Sequence, residues 1–370
     1  MLLKMKRIMK ATYYKKIVLS ALLCFSAFMA MAQSERSKQW EKTHELPSTG
    51  TLQIENKYGD VVVNGWAKNQ MKVEIAIKVT HRKDENAKKL LDRIQPKITA
   101  AGDFIRVTSE IADRSTSVFS RYFNKANPFD FDKSNIQIDY KVYLPVNAEL
   151  DITNRFGDVI IANWNGDLEA NVQHGDIWIN EDVSTIKIDM RFGKLNCGKI
   201  GYGNIKMSNG SIDIEDAQKL KIISNGSDVK LDEVANLELY SSKDEVNLFK
   251  IGSMRGDFKF SNVDINTIGD EMFLTLRIAE VEIHHFLDSK PEIDIVQESS
   301  DINMNISGLA FNFKATLEQG LLRVPKSFAN IRTNVTNAGK KIRDISASYG
   351  SGERGDFSLN GIKGVIVLTD

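Results

Sequence analysis

The chain repeats itself. Leu52 to Trp66 and Leu150 to Trp164 share one pattern: apolar-x-apolar, then Asn, an aromatic residue, Gly-Asp, a second apolar-x-apolar and a closing Trp. From the second copy onward the pattern continues. The first apolar residue after each turn falls at Val159, Ile177, Leu195, Ile212, Val229, Val246, Val263, Val281, Ile302 and Leu322. Successive members stand 17 or 18 residues apart, lengthening to 21 and 20 at the last two steps. A fixed period of this length marks stacked supersecondary units and limits the fold more than any single residue does.

Within each unit the apolar residues alternate, which is the period of a strand. Ile177 and Ile179 point one way and Trp178 the other; before the turns, Leu168, Ala170 and Val172 alternate likewise, as do Ile186, Ile188 and Met190, Leu237 and Leu239, and Phe258 and Phe260. Between the strands lie short turns such as His174-Gly-Asp176, Asn209-Gly-Ser211 and Asn225-Gly-Ser227, whose residues tolerate the positive φ of a tight corner. Such a unit cannot bury its apolar face alone. Stacking the next unit at about 4.8 Å satisfies its backbone and extends one core. A sandwich or an open antiparallel barrel has less regular spacing. The prediction is therefore an all-β chain, a single-chain β-solenoid with 17–18-residue rungs, right-handed by analogy with parallel crossovers, and a small α/β N-terminal cap.

The ends break the period. Residues 67–147 interrupt the series after its first copy, so 33–147 is read as a cap segment and 148–370 as the solenoid. Asp84 is placed as the cap of a helix running to about Gln95 and stopped by Pro96. Phe357 to Leu368 reads as a last rung, with 329–356 irregular and covering the terminal edge, which would otherwise invite association.

Residues 1–32 read as a signal peptide. Lys4, Lys6, Arg7, Lys10, Lys15 and Lys16 precede the apolar run Ile17–Met29, and Ala30-Met-Ala32 supplies a small-residue cleavage site. The run is too short for a comfortable transmembrane span, and Leu22-Leu23 before Cys24 argues against a lipidated cysteine. Removing six basic residues leaves 43 against 49 acidic ones, a net of −6. With no basic block, nucleic acid is not an expected partner. Cys197 alone survives cleavage, so no intramolecular disulfide is expected. The expected location is exported: periplasm, outer membrane surface or extracellular, with no transmembrane segment in the mature chain.

The units Asn56-Lys-Tyr-Gly-Asp60 and Asn154-Arg-Phe-Gly-Asp158, their cadence and the leader resemble the putative-adhesin β-solenoid family of exported bacterial proteins. The resemblance covers roughly residues 47–370. It implies a cell-envelope or surface protein, adhesive in role, and supplies no catalytic residue to carry over. Ser242-Lys-Asp-Glu245 and Ile278-Ala-Glu280 depart from it by lacking the turn glycine.

No constellation predicts catalysis. Asp213 and Asp264 are three rungs apart, about 14 Å, and Asp158 and Asp176 are explained by their turns. No cofactor and no metal is expected: the double-glycine pattern of calcium β-rolls is missing, and adjacent His284 and His285 face opposite ways along a strand. The candidate contact residues are aromatic. Phe119, Arg121, Tyr122, Phe123, Phe129 and Phe131 crowd one loop, and Trp178 falls on the outward phase where a sugar could stack; Trp66 and Trp164 suit corner packing. The sequence thus favours a non-enzymatic adhesin-like binding or scaffolding module, with an envelope protein or glycan as partner. A polysaccharide-active β-helix enzyme and a periplasmic sensing partner are the alternatives.

Overall fold

A computed structural model of the chain describes residues 34–111, 136–351 and 354–370. Among these the chain is all-β, with 26 strands and one helix. They divide into two units: a larger one of Glu41–Ile75, Lys97–Thr108 and Asp139–Asp370, and a smaller one within 34–40, 76–96, 109–111 and 136–138. The leader lies outside the described residues.

In the larger unit the strands form a long, mostly parallel and unclosed sheet, solenoid-like in its stacking. The alternating apolar residues make one vertical file. Val159 stands opposite Ile177, Ile177 opposite Leu195 and Leu195 opposite Ile212. The file continues through Val229, Val246, Val263, Val281 and Ile302, all buried. The first copy of the repeat sits directly on the second, Leu52 against Leu150 and Val61 against Val159, although 98 residues separate them in sequence.

The corner between the two strands of each rung has a specific chemistry. At four corners positive φ falls on the residue before the turn glycine, Phe156 at 59°, His174 at 56°, Phe192 at 57° and Asn209 at 54°, whereas in the first copy and at Asn225-Gly-Ser227 it falls on the glycine, Gly59 at 129° and Gly226 at 61°. At the four corners the glycine serves close approach instead. A Cβ on Gly157 would stand 2.0 Å from the Gly59 carbonyl oxygen, and one on Gly175 would stand 1.9 Å from that of Gly157. Corner backbone therefore stacks on corner backbone with no room for a methyl group. The Asp after each glycine stitches the corners together: Asp60 Oδ1 accepts the Asp158 amide at 2.9 Å and Asp158 Oδ1 accepts the Asp176 amide at 2.8 Å. Further along, Asp244 does similar work from inside. Buried, it accepts from Ser224 Oγ, Ser241 Oγ and the amides of Ser227 and Ser242 at 2.5–3.1 Å, which explains why the Ser242–Glu245 corner needs no glycine.

Two expectations at the C-terminal end are corrected. Ile302 pairs with Ile366, and Leu322 lies on the far side of Ile366. The strands Gly355–Ile362 and Val365–Thr369 are thus inserted between the rung of residues 292–305 and that of 311–323. The presumed last rung is the penultimate one, because spacing along the sequence fixes where a strand occurs but not the order in which strands stack. Residues 329–356 are not irregular: they hold the strands Ala329–Asn337 and Ile342–Tyr349, the latter antiparallel to Phe311–Glu318. That pairing covers the exposed edge of the Phe311–Glu318 strand. Phe311, Phe313, Phe328, Tyr349 and Phe357 fill the core there.

In the smaller unit the helix spans Asp84–Arg93 and buries Ala87 and Leu90. Asp84 is not its N-cap: Lys83 holds that position without a side-chain hydrogen bond. The Asp84 carboxylate instead receives Arg36 at 2.6–2.7 Å and Ser34 Oγ at 2.5 Å. Pro96 does not stop the helix either, since it lies inside the following strand Ile94–Ala101.

Candidate contact surface

The left-handed corner conformation turns Phe156, His174 and Phe192 out of the core. Left-handed backbone costs a residue with a Cβ about 1–2 kcal/mol, and a Phe held there is a marked departure. What accompanies it is a stack. Tyr58, Phe156, His174 and Phe192 lie ring over ring across four rungs, with centroids 5.9, 5.1 and 4.8 Å apart and interplanar angles of 8°, 5° and 3°. Each such contact contributes about 0.5–1.5 kcal/mol beyond area burial, which offsets much of the backbone cost. The rings remain in water along their edges: Phe156 is 49% and Phe192 51% exposed. Lys57 Nζ sits 4.9 Å from the Tyr58 ring centroid and adds a cation to one end.

Four residues further along each of these rungs lies the outward position of the next strand. There Val62, Ile160 and Trp178 stand side by side, Trp178 being 39% exposed. Trp178 is thus on the outward phase its sequence position predicts. The other outward positions are polar beyond it, from Asn196 through Asp213 and Lys230. The apolar strip is confined to the rungs nearest the first repeat copy.

The remaining candidate residues, Phe119, Arg121, Tyr122, Phe123, Phe129 and Phe131, lie outside the described residues. Trp66 and Trp164 pack: Trp164 is buried with Nε1 donating to the Ala148 carbonyl at 2.9 Å, and Trp66 stacks on Tyr143 at 5.4 Å. Tyr58, Phe156 and Phe192 were not singled out from the sequence. The available signal was an aromatic residue at one motif position in three copies, with His174 at the same position in another.

Three carboxylates of the outward faces, Asp151, Glu169 and Glu238, are tied up. Asp151 and Glu169 face each other in register. Asp151 accepts Gln53 Nε2 at 2.7 Å, and its pKa is raised, mainly by burial. Glu169 is taken by Lys187 at 2.7 Å. A shallow hollow of about 270 Å³ is lined by Leu220, Glu238, Arg255, Glu271 and Phe273 among others. Its Glu238 has a lowered pKa because the Tyr240 hydroxyl and Lys221 hold it, the opposite of what a general acid needs. Cys197 is buried and its thiol is pushed up to about 12, mainly by burial.

Fold and surface together describe a parallel β stack with an exposed aromatic corner. Solved structures to which the chain is similar include a putative adhesin from Parabacteroides merdae, at 10% identity, 90% of this chain and 97% of that chain covered, and a TM-score of 0.38. A putative adhesin from Bacteroides fragilis follows at 10% identity, 89% and 97% coverage and a TM-score of 0.29. A protein from Parabacteroides distasonis described as a putative lipid binding protein is similar at 12% identity, with 90% and 97% coverage and a TM-score of 0.29. At TM-scores below 0.5 these structures say nothing of what this chain binds. No protein-family profile matches the chain, and no curated protein matches it.

Proposed function

We propose that the chain is a non-enzymatic, exported protein of the cell envelope or surface, an adhesin-like module that binds or scaffolds through its aromatic corner and the adjoining Trp178 strip. The observation that carries this reading is the exposed, coplanar file Tyr58–Phe156–His174–Phe192, of which Phe156, His174 and Phe192 are kept in a backbone conformation that side chains rarely adopt. Strained positions of this kind cluster at functional sites, and exposed apolar patches mark contact surfaces. A glycan or an envelope protein suits the surface, because aromatic edges and a free indole offer apolar contact without demanding a charge. The leader-like residues 1–32 support export. The reading includes a right-handed coil of 17–18 residues per rung with a small α/β cap before it.

The test is a glycan and envelope-protein binding screen with the purified chain, repeated with Trp178→Ala, with Phe192→Ala and with a chain lacking residues 114–131. Binding that weakens at least tenfold in Trp178→Ala or Phe192→Ala supports the aromatic surface. Binding unchanged in both point variants removes it, and turnover of any polysaccharide by the parent chain overturns the non-enzymatic reading.

A further inference from the structure

On the polar outward face, away from the aromatic corner, three metal-ligating side chains meet across two rungs. Asp264 lies on the strand Asn262–Arg277; Glu282 and His284 lie on the next, Glu280–Phe286. The strands are parallel and in register, so Asp264 stands directly opposite Glu282. His284, two residues on, shares the face of Glu282. One ligand atom from each side chain can be chosen so that all three lie within 4.8 Å of one another. His284 Nε2 is 3.2 Å from Asp264 Oδ2, which aims the ring nitrogen into the cluster. Val263, Ile265, Val281 and Ile283 anchor both strands in the core. The ligands therefore stand on a rigid base.

The charge pattern supplies an independent reason. Carboxylates directly opposite on neighbouring strands repel. Several outward acids are met by a lysine, as Asp213 is by Lys230 at 3.2 Å and Glu233 by Lys250 at 2.6 Å, and where Asp151 faces Glu169 each carboxylate has its own donor, Gln53 or Lys187. Among the described residues no lysine or arginine pairs with Asp264 or Glu282, and the side chain that meets Asp264 is His284. A divalent cation would convert the repulsion into attraction.

We propose that Asp264, Glu282 and His284 form a binding site for a divalent transition metal of the zinc type. One imidazole nitrogen and two carboxylate oxygens suit zinc and its neighbours, whereas calcium calls for six to eight oxygens. Tetrahedral zinc with bonds near 2.1 Å needs donor atoms about 3.4 Å apart. The pair Asp264–His284 already meets that spacing, and the exposed Glu282 side chain closes the remainder by rotation. Three protein ligands leave a fourth position for water or for a donor from a bound partner. The ion would clip together the rungs of Val263 and Val281, 18 residues apart, one step before the spacing lengthens to 21 between Val281 and Ile302.

Isothermal titration with zinc chloride on the tag-free chain, with cobalt(II) absorption as a second readout, tests this. The expected result is one equivalent bound, a raised melting temperature and cobalt d–d bands. Affinity should fall at least tenfold in Glu282→Gln and in His284→Ala while His285→Ala binds as the parent does. All three positions are at least partly exposed, so circular dichroism should show each variant folded. No uptake by the parent at 100-fold excess of metal, or uptake by His284→Ala equal to the parent, overturns the site.

Discussion

Replacing Gly175 with alanine should damage the stack far beyond the addition of one methyl group. The new Cβ would stand 1.9 Å from the Gly157 carbonyl oxygen, a backbone atom that cannot swing aside. Non-bonded contacts are comfortable only near 3.5 Å, so relief requires roughly 1.5 Å of separation between backbones the sheet holds about 4.8 Å apart. The bonds at risk are the Phe156 amide to the Gln173 carbonyl at 2.9 Å and the Asp176 amide to Asp158 Oδ1 at 2.8 Å. Overpacking costs about 1–3 kcal/mol and two weakened hydrogen bonds about 1 kcal/mol each. The expected loss is about 3–5 kcal/mol. Gly198 is the control: nothing lies within 4 Å of its would-be Cβ, so Gly198→Ala should be neutral or stabilise by up to about 1 kcal/mol. Urea unfolding measures both, and hydrogen exchange localises the damage to residues 156–177. A loss below about 1 kcal/mol in Gly175→Ala, or equal losses in the two variants, would refute the corner-stacking argument.

Other expectations are open to simple tests. Asp244→Ala leaves several buried donors unpaired at about 1–3 kcal/mol each, so denaturation should register a loss of at least about 3 kcal/mol. The Asp84 carboxyl should titrate at about 2 in place of 3.8, held down chiefly by the Arg36 hydrogen bond and then by Ser34. A depressed carboxyl stabilises the fold above its unfolded value and loses that contribution as pH falls from about 4 toward 2. Carbon-detected NMR should find this midpoint, and Arg36→Ala should move it back up. Cys197, with its thiol pushed up to about 12, should resist thiol reagents at pH 8 and react promptly in denaturant.

The vertical file was legible because period-two burial and a constant step leave one way to hide Val159, Ile177 and Leu195. The direction of the corner side chains was not. Phe258 and Phe260 alternate like an inward pair, yet Phe258 is buried while Phe260 is 52% exposed at φ 56°. A single left-handed residue ends the alternation, and an aromatic side chain carries no sequence mark of it. Trp178 was legible because it lies mid-strand, between Ile177 and Ile179, where alternation holds. The insertion of residues 355–369 between earlier rungs was invisible, since a repeat gives spacing and not stacking order. The grouping of Asp264 with His284 was missed for a related reason. Ligands were sought along one strand, whereas the structure assembles them across two, and that needs the register Asp264↔Glu282.

Register is the property on which the account stands, and paired cysteines read it directly. In a Cys197→Ser background, Asp213→Cys with Lys230→Cys places the two thiols on directly opposed residues of neighbouring strands, within the 4.4–6.8 Å Cα range a disulfide accepts. Asp213→Cys with Asn247→Cys spans two steps, about 10 Å. Mild oxidation should cross-link the first pair rapidly and the second not at all. Cross-linking of the second pair in preference to the first would mean that the coils do not lie over one another in this order.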